Sequence, residues 1–162
     1  MLQIGIKPTE VIAAGGIPSF RLGTIGCYDD PVNGYQEFIY AKASGAITGL
    51  GFLCVLSAGF LATQANVTQT TPGTAGYGTP LGAAQAAIAD GGFGWFQIFG
   101  KGSLRTLALA AKGTRLNTTA TPGALDDDAT AGSEAVNGIV LWVATGGAQA
   151  TNADTFFTYP TV

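Results

Sequence analysis

Residues able to do chemistry are few and scattered in this chain. There is no histidine among its 162 residues, which excludes Ser-His and Cys-His nucleophile pairs, imidazole metal ligation and histidine acid–base work. Two cysteines, Cys27 and Cys54, are too few for a disulfide scaffold, a four-thiolate zinc site or an iron–sulfur cluster. Carboxylates that could form a sugar-cleaving pair, Glu10, Glu37 and Glu134, fall at no spacing that singles out two of them. The densest acidic run is Asp126-Asp127-Asp128, with Glu134 downstream. Clustered oxygens of this kind hold calcium, but the alternating Asp-x-Asp-x-Asp-Gly spacing is missing and the run reads as a solvated loop. We therefore expect no catalytic residue, no cofactor, no metal site and no enzyme.

Glycine-rich motifs fare no better. Gly100-Lys101-Gly102-Ser103 fails as a phosphate loop, because Trp95 stands where the first glycine is needed and Gly102 occupies the Ser/Thr place. Gly92-Phe93-Gly94 lacks the third glycine of a dinucleotide fingerprint, Gln97 holding that position. Gly49-Leu50-Gly51-Phe52 has the letters of a carboxylate-binding loop, yet nothing downstream supplies a groove helix. Trp95, Phe96 and Phe99 form an aromatic cluster that reads first as core, with a sugar-stacking platform or a protein anchor as alternatives.

Charged residues make up 10% of the chain against a usual ~25%, while 47% is hydrophobic. A net charge of −3 leaves no basic footprint for nucleic acid or an acidic membrane. A free monomer of this size ordinarily keeps a far more charged surface. The composition points to an exterior covered by neighbours in an assembly; a secreted β-protein with a Thr- and Gly-rich surface is the alternative. Ala46 to Ala65 is uncharged, but glycines and polar residues interrupt it and it reads as strands, not a membrane span. The start, Met1 to Lys7, shows no export signal, so both thiols are expected to be reduced, with a Cys27–Cys54 bridge as the minor alternative.

The elements that must position these residues are short and extended. Twenty-five glycines and seven prolines cut the chain at roughly strand-length intervals. Residues 1–20 read as an extended N-terminal arm and 21–162 as one β domain. Arg21 to Tyr28 and Tyr35 to Lys42 read as a hairpin around Asn33-Gly34, with Phe38 and Tyr40 facing one way and Glu37 and Ile39 the other. Strands are expected at Gly51 to Leu56, Gly59 to Asn66, Ser103 to Ala111 and Thr114 to Thr119. Val67 to Pro80 reads as a loop. Leu81 to Ile88 is alanine-rich but too short for a stable helix, and it pairs on paper with Phe93 to Lys101. Ile139 to Val143 is continuously apolar and predicts a central strand covered on both faces. Asp154 to Val162 closes the chain as an aromatic strand with Pro160 at its end. The fold class is all-β, a single-domain barrel or sandwich of short antiparallel strands.

Three segments in order, Tyr35 to Leu56, Gly78 to Gly102 and Leu109 to Leu125, carry an aromatic strand, a small-residue strand (Gly82 to Gly91), a Gly-Trp-x-Gln-x-x-Gly strand (Gly94 to Gly100) and a Pro-Gly-x-Leu turn (Pro122 to Leu125). This pattern resembles the capsid decoration, or cement, proteins of tailed bacteriophages. The resemblance implies a virion component, made in the host cytoplasm and homotrimeric, that binds the major capsid protein on the outer face of the head and holds subunit joints closed against internal DNA pressure. The expected contact residues are Ile4, Ile6, Ile12 and Ile17 of the arm, with Trp95 and Phe99. A receptor- or glycan-binding module of a virion fibre, stacking sugars on Trp95 or Tyr77, is the alternative.

Overall fold

The computed structural model describes residues 5–75, 77–146 and 151–162. The regular structure of those residues consists of β1 (Val11–Ile12), β2 (Ile25–Asp30), β3 (Gly34–Ala43), β4 (Leu53–Leu56), β5 (Leu61–Gln64), a single helical turn α1 (Val67–Thr70), β6 (Leu81–Ala84), β7 (Phe93–Thr106), β8 (Leu116–Thr118), β9 (Leu125–Asp126), β10 (Ala135–Leu141) and β11 (Thr151–Thr161). The protein is all-β, and all the strands join one sheet.

The pairings close on themselves twice. Going from β7 through β11, β10, β8 and β9 returns to β7; going from β7 through β6, β4, β5 and β3 also returns to β7. The result is barrel-like, two rings with one strand in common. That strand is 14 residues long because its two halves serve different partners. Phe93 to Phe99 pairs with β3, and Phe99 to Thr106 pairs with β11. Gly100 lies at the changeover with φ +93°, where a side chain would run into the Tyr35 carbonyl and Gln36. Only glycine fits that turn of the backbone.

Each ring encloses its own apolar cluster. Leu104, Leu116, Leu125, Ile139, Leu141 and Phe157 fill the first, which extends over Leu53 and Leu81. Ile39, Ile47, Cys54, Leu56, Phe96 and Ile98 fill the second. A third cluster, Ile6, Phe38, Tyr40 and Trp95, lies on the outer face of β3 and β7, with Phe20 and Leu22 packed over it. Strand β3 is thus buried on both faces, with Phe38 and Tyr40 in one cluster and Ile39 in the other, as their alternation requires.

The expected hairpin of β2 and β3 forms, with Asp30 opposite Gly34. Asp30 Oδ1 accepts from the Val32 and Asn33 amides at 2.9 and 2.7 Å and so holds the turn. The pairing of the alanine-rich segment with Phe93 to Lys101 also forms, Ala83 opposite Gln97 and Ala84 opposite Phe96. Asn66 caps α1, its side chain accepting from the Gln69 amide at 2.9 Å, inside what reads from sequence as plain loop. The apolar stretch Ala46 to Ala65 folds into β4 and β5, and no helix among the described residues is long and apolar enough to cross a membrane.

Two expectations change. The strands are not all antiparallel: β3 runs parallel to β5, and β7 parallel to β9, through contacts too short to leave a sequence signal. Ile139 to Val143 is not covered on both faces. Ile139 and Leu141 point into the first ring, while Val140, Trp142 and Val143 stand exposed. The N-terminal segment is extended and lies against the β domain. β1 pairs with Phe93 and Gly94 of β7, Ser19 Oγ donates to Glu10, and the Ser19 amide donates to the Tyr40 hydroxyl at 3.3 Å. Ile6 is only 8% exposed and sits over Gly26, where a Cβ would collide with it and crowd Trp95. Burial of an isoleucine of this kind is worth about 1.5–3 kcal/mol to the fold.

Candidate functional site

Strands β3, β7, β11 and β10 lie side by side and together carry a run of aromatic rings. Register sets the rows: Glu37 faces Phe99, which faces Thr158, and Lys101 faces Phe156, which faces Val140. Alternation then puts Phe99, Lys101, Phe156 and Trp142 on one surface. Trp142 stacks on Phe156 with centroids 5.4 Å apart and planes 12° from parallel. Phe156 meets Phe99 edge-on at 5.7 Å, and Phe99 lies 5.5 Å from Tyr159 and 6.3 Å from Tyr35. Trp142 remains 51% exposed and Tyr159 55%.

Tyr159 is placed by an unusual piece of backbone. Between Phe157 and Thr161, β11 carries three residues opposite the single Gly138 of β10. The extra length bulges, Tyr159 takes φ +50° immediately before Pro160, and Gly138 takes φ +74° with the Thr158 carbonyl against its Cα. A left-handed tyrosine costs of order 1–3 kcal/mol and persists only where its surroundings hold it. Here they do. Its hydroxyl donates to Glu37 Oε2 at 2.7 Å, and the Tyr35 hydroxyl donates to Oε1 at 2.8 Å. The hydrogen bond to Glu37, then loss of water and then the Glu37 charge push the Tyr35 hydroxyl up to about 12 and the Tyr159 hydroxyl upward as well. Both therefore remain donors at neutral pH. Alongside, Lys101 Nζ pairs with Asp154 Oδ2 at 3.4 Å.

Of the contact residues expected from sequence, Phe99 is at the centre of this ribbon. Trp95, 1% exposed, lies in the third apolar cluster and cannot serve as a surface anchor or platform in this structure. Ile6 is buried beside it, Ile12 is half-buried in β1, and Ile17 is 90% exposed. Ile4 lies outside the described residues. Tyr77 is 94% exposed. Tyr35, Glu37, Trp142, Phe156 and Tyr159 were missed; the alternation of Val140 and Trp142 with Ile139 and Leu141 was the available signal.

Asp126 Oδ1 accepts from the Asp127 amide and Asp127 Oδ2 from the Ala111 amide, so two of the three acids brace the loop. Partial burial raises the Asp126 carboxyl above its ordinary range. No cluster of His, Cys, Asp or Glu among the described residues is arranged to hold a metal. Cys27 and Cys54 are both free thiols. In the Gly49 to Phe52 loop, the Gly51 amide donates to the Ala84 carbonyl at 2.8 Å. An open groove of about 480 Å³ beside the N-terminal segment is walled by Lys7, Asp30, Gln36, Gln97 and Ser103. Its two inner amides are already occupied, Gln97 Nε2 donating to Phe99 O at 3.2 Å and Lys101 O at 3.0 Å, and Gln36 Nε2 to the same Lys101 carbonyl.

Fold and site together define an all-β protein with an aromatic outer face. No family model, no curated protein and no solved structure matches the chain.

Proposed function

We propose that this protein is a structural component of a virion, a capsid decoration protein that docks on the outer face of the head across joints between capsid subunits. One observation carries the reading: the exterior is rich in unpaired apolar side chains and poor in charge. Val11, Ile17, Ile25, Val32, Leu61 and Leu109 are all exposed, while a single ion pair is found among the described residues. Scattered apolar residues are normal, but so little charge leaves identical copies few like charges to keep them apart, and an assembly covers such a surface. In this reading Ile12 and Ile17 form the capsid-facing edge of the packed N-terminal segment, and Phe99 belongs to a separate face. Each contact with the major capsid protein buries ~1,200–2,000 Å², and a homotrimer seated on several subunits gains avidity without new kinds of contact.

The test is co-sedimentation of the purified protein with undecorated heads, counted per particle. Stoichiometric uptake that falls at least tenfold in affinity with Ile17→Asp supports the proposal; absence of uptake overturns it. The fibre-module alternative loses Trp95 as its platform, because that ring is interior.

A further inference from the structure

We propose that the aromatic ribbon from Tyr35 to Trp142 is a binding site for a neutral oligosaccharide, with Glu37 as its polar anchor. The proposal does not depend on the capsid reading, since Ile12 and Ile17 take no part in it.

Sugars present two chemically different surfaces: flat faces of C–H groups, which pack on aromatic rings, and a rim of hydroxyls that both donate and accept. The ribbon matches both. Trp142 has one ring face against Phe156 and is half exposed, so its other side is open to a ligand. Tyr159 and Tyr35 offer two more rings at the far end, flanking Phe99. From β3 to β10 the site crosses three strand spacings, roughly 14 Å, the span of a short chain of sugars and not of a single one.

The polar groups point to hydroxyls in particular. Each Glu37 oxygen already accepts one phenol hydrogen and keeps a lone pair for another donor. The two phenol oxygens, having given their hydrogens to Glu37, are left as acceptors. This end of the site therefore needs a ligand that brings donors. Lys101 and Asp154, paired beside Phe156, offer a donor and an acceptor at mid-ribbon. An anion would meet Glu37 and Asp154 unfavourably, and a cation would meet Lys101 at the centre. A neutral polyol suits every group.

The site is also held in advance. The bulge opposite Gly138 and the positive φ of Tyr159 fix the Tyr159 ring against Phe99 with its hydroxyl on Glu37. Rings fixed before binding lose little freedom when a ligand arrives. Strain maintained at an exposed aromatic, next to a bracketed carboxylate, is the pattern expected at a binding surface.

Tryptophan fluorescence gives a direct readout, since Trp95 is buried and Trp142 is the exposed partner. The full chain is titrated with cellohexaose, chitohexaose and a deacylated bacterial surface polysaccharide, with a lysine-rich peptide as the competing chemistry. Saturable emission change with at least one saccharide is expected. Trp142→Ala should abolish the signal and, by calorimetry, weaken binding at least tenfold. Glu37→Gln should weaken it similarly while the protein keeps a single cooperative melt, and Ile17→Asp leaves binding unaltered. If Trp142→Ala fails to fold, Glu37→Gln and Tyr159→Phe carry the test alone. Lack of saturable binding to all three saccharides, equal affinity in Glu37→Gln, or preference for the lysine peptide each overturns the proposal.

Discussion

The Tyr159 hydroxyl donates to Glu37 Oε2 at 2.7 Å across 122 positions of sequence, tying the last strand to the third. Glu37 is shared with Tyr35, so one carboxylate holds two phenols. The bond makes the phenols harder to ionise. With Tyr35 raised from 10.0 to about 12, the stabilisation is complete below pH 10 and is lost as pH climbs through about 12. Spectroscopic titration of tyrosinate should show one group ionising near pH 12 and should lose that late step in Glu37→Gln. Thermal stability should decline over the same alkaline interval.

Gly138→Ala should be among the more damaging single-methyl changes. A Cβ there would lie 2.6 Å from the Thr158 carbonyl, at a φ of +74° that side chains rarely adopt. Backbone cannot retreat as a flexible side chain can, and a loss of about 1–3 kcal/mol is expected by denaturant unfolding. The Tyr159 bulge should shift with it, so the late tyrosine ionisation should also move toward its ordinary value.

Ile6→Ala should destabilise by about 2–4 kcal/mol, the usual range for hollowing an apolar contact of this kind. Removal of residues 1–20 should do more, uncovering Trp95 and Tyr40 and deleting Phe20 from above them. A red shift of Trp95 emission on truncation would register the exposure. An unchanged melting temperature and emission would show the segment to be dispensable for folding.

The two thiols should differ sharply toward a disulfide reagent. Cys54 is wholly buried in the second ring, and burial pushes its thiol far up from the usual range; Cys27 is partly exposed on β2. Native protein should release one equivalent promptly and the second only on unfolding.

Much of the local structure was legible in the chain. Asn33-Gly34 and Asp30 specify a reversal wherever they occur between strands, because their preferences act over four residues. The cluster of Trp95, Phe96 and Phe99 read first as core, yet Trp95 was also assigned to a contact surface that its burial denies it. What escaped depends on contacts distant in sequence. Two-residue parallel ladders such as Lys42 with Leu61 carry no pattern of their own. The exposed face of Trp142 was hidden because Ile139 to Val143 is apolar throughout, and only the ring closed by β11 and β8 decides which side faces out. Tyr159 could not be foreseen, since its conformation is imposed by Gly138 on another strand.

Strand β7 is a stave common to both rings, and this denies the molecule a seam. Neither half can be excised by cutting the gene in two, since either fragment would lack a wall. Heating should give one calorimetric peak, and the amides of Trp95 to Leu104 should exchange with deuterium last, releasing only when everything else has come apart.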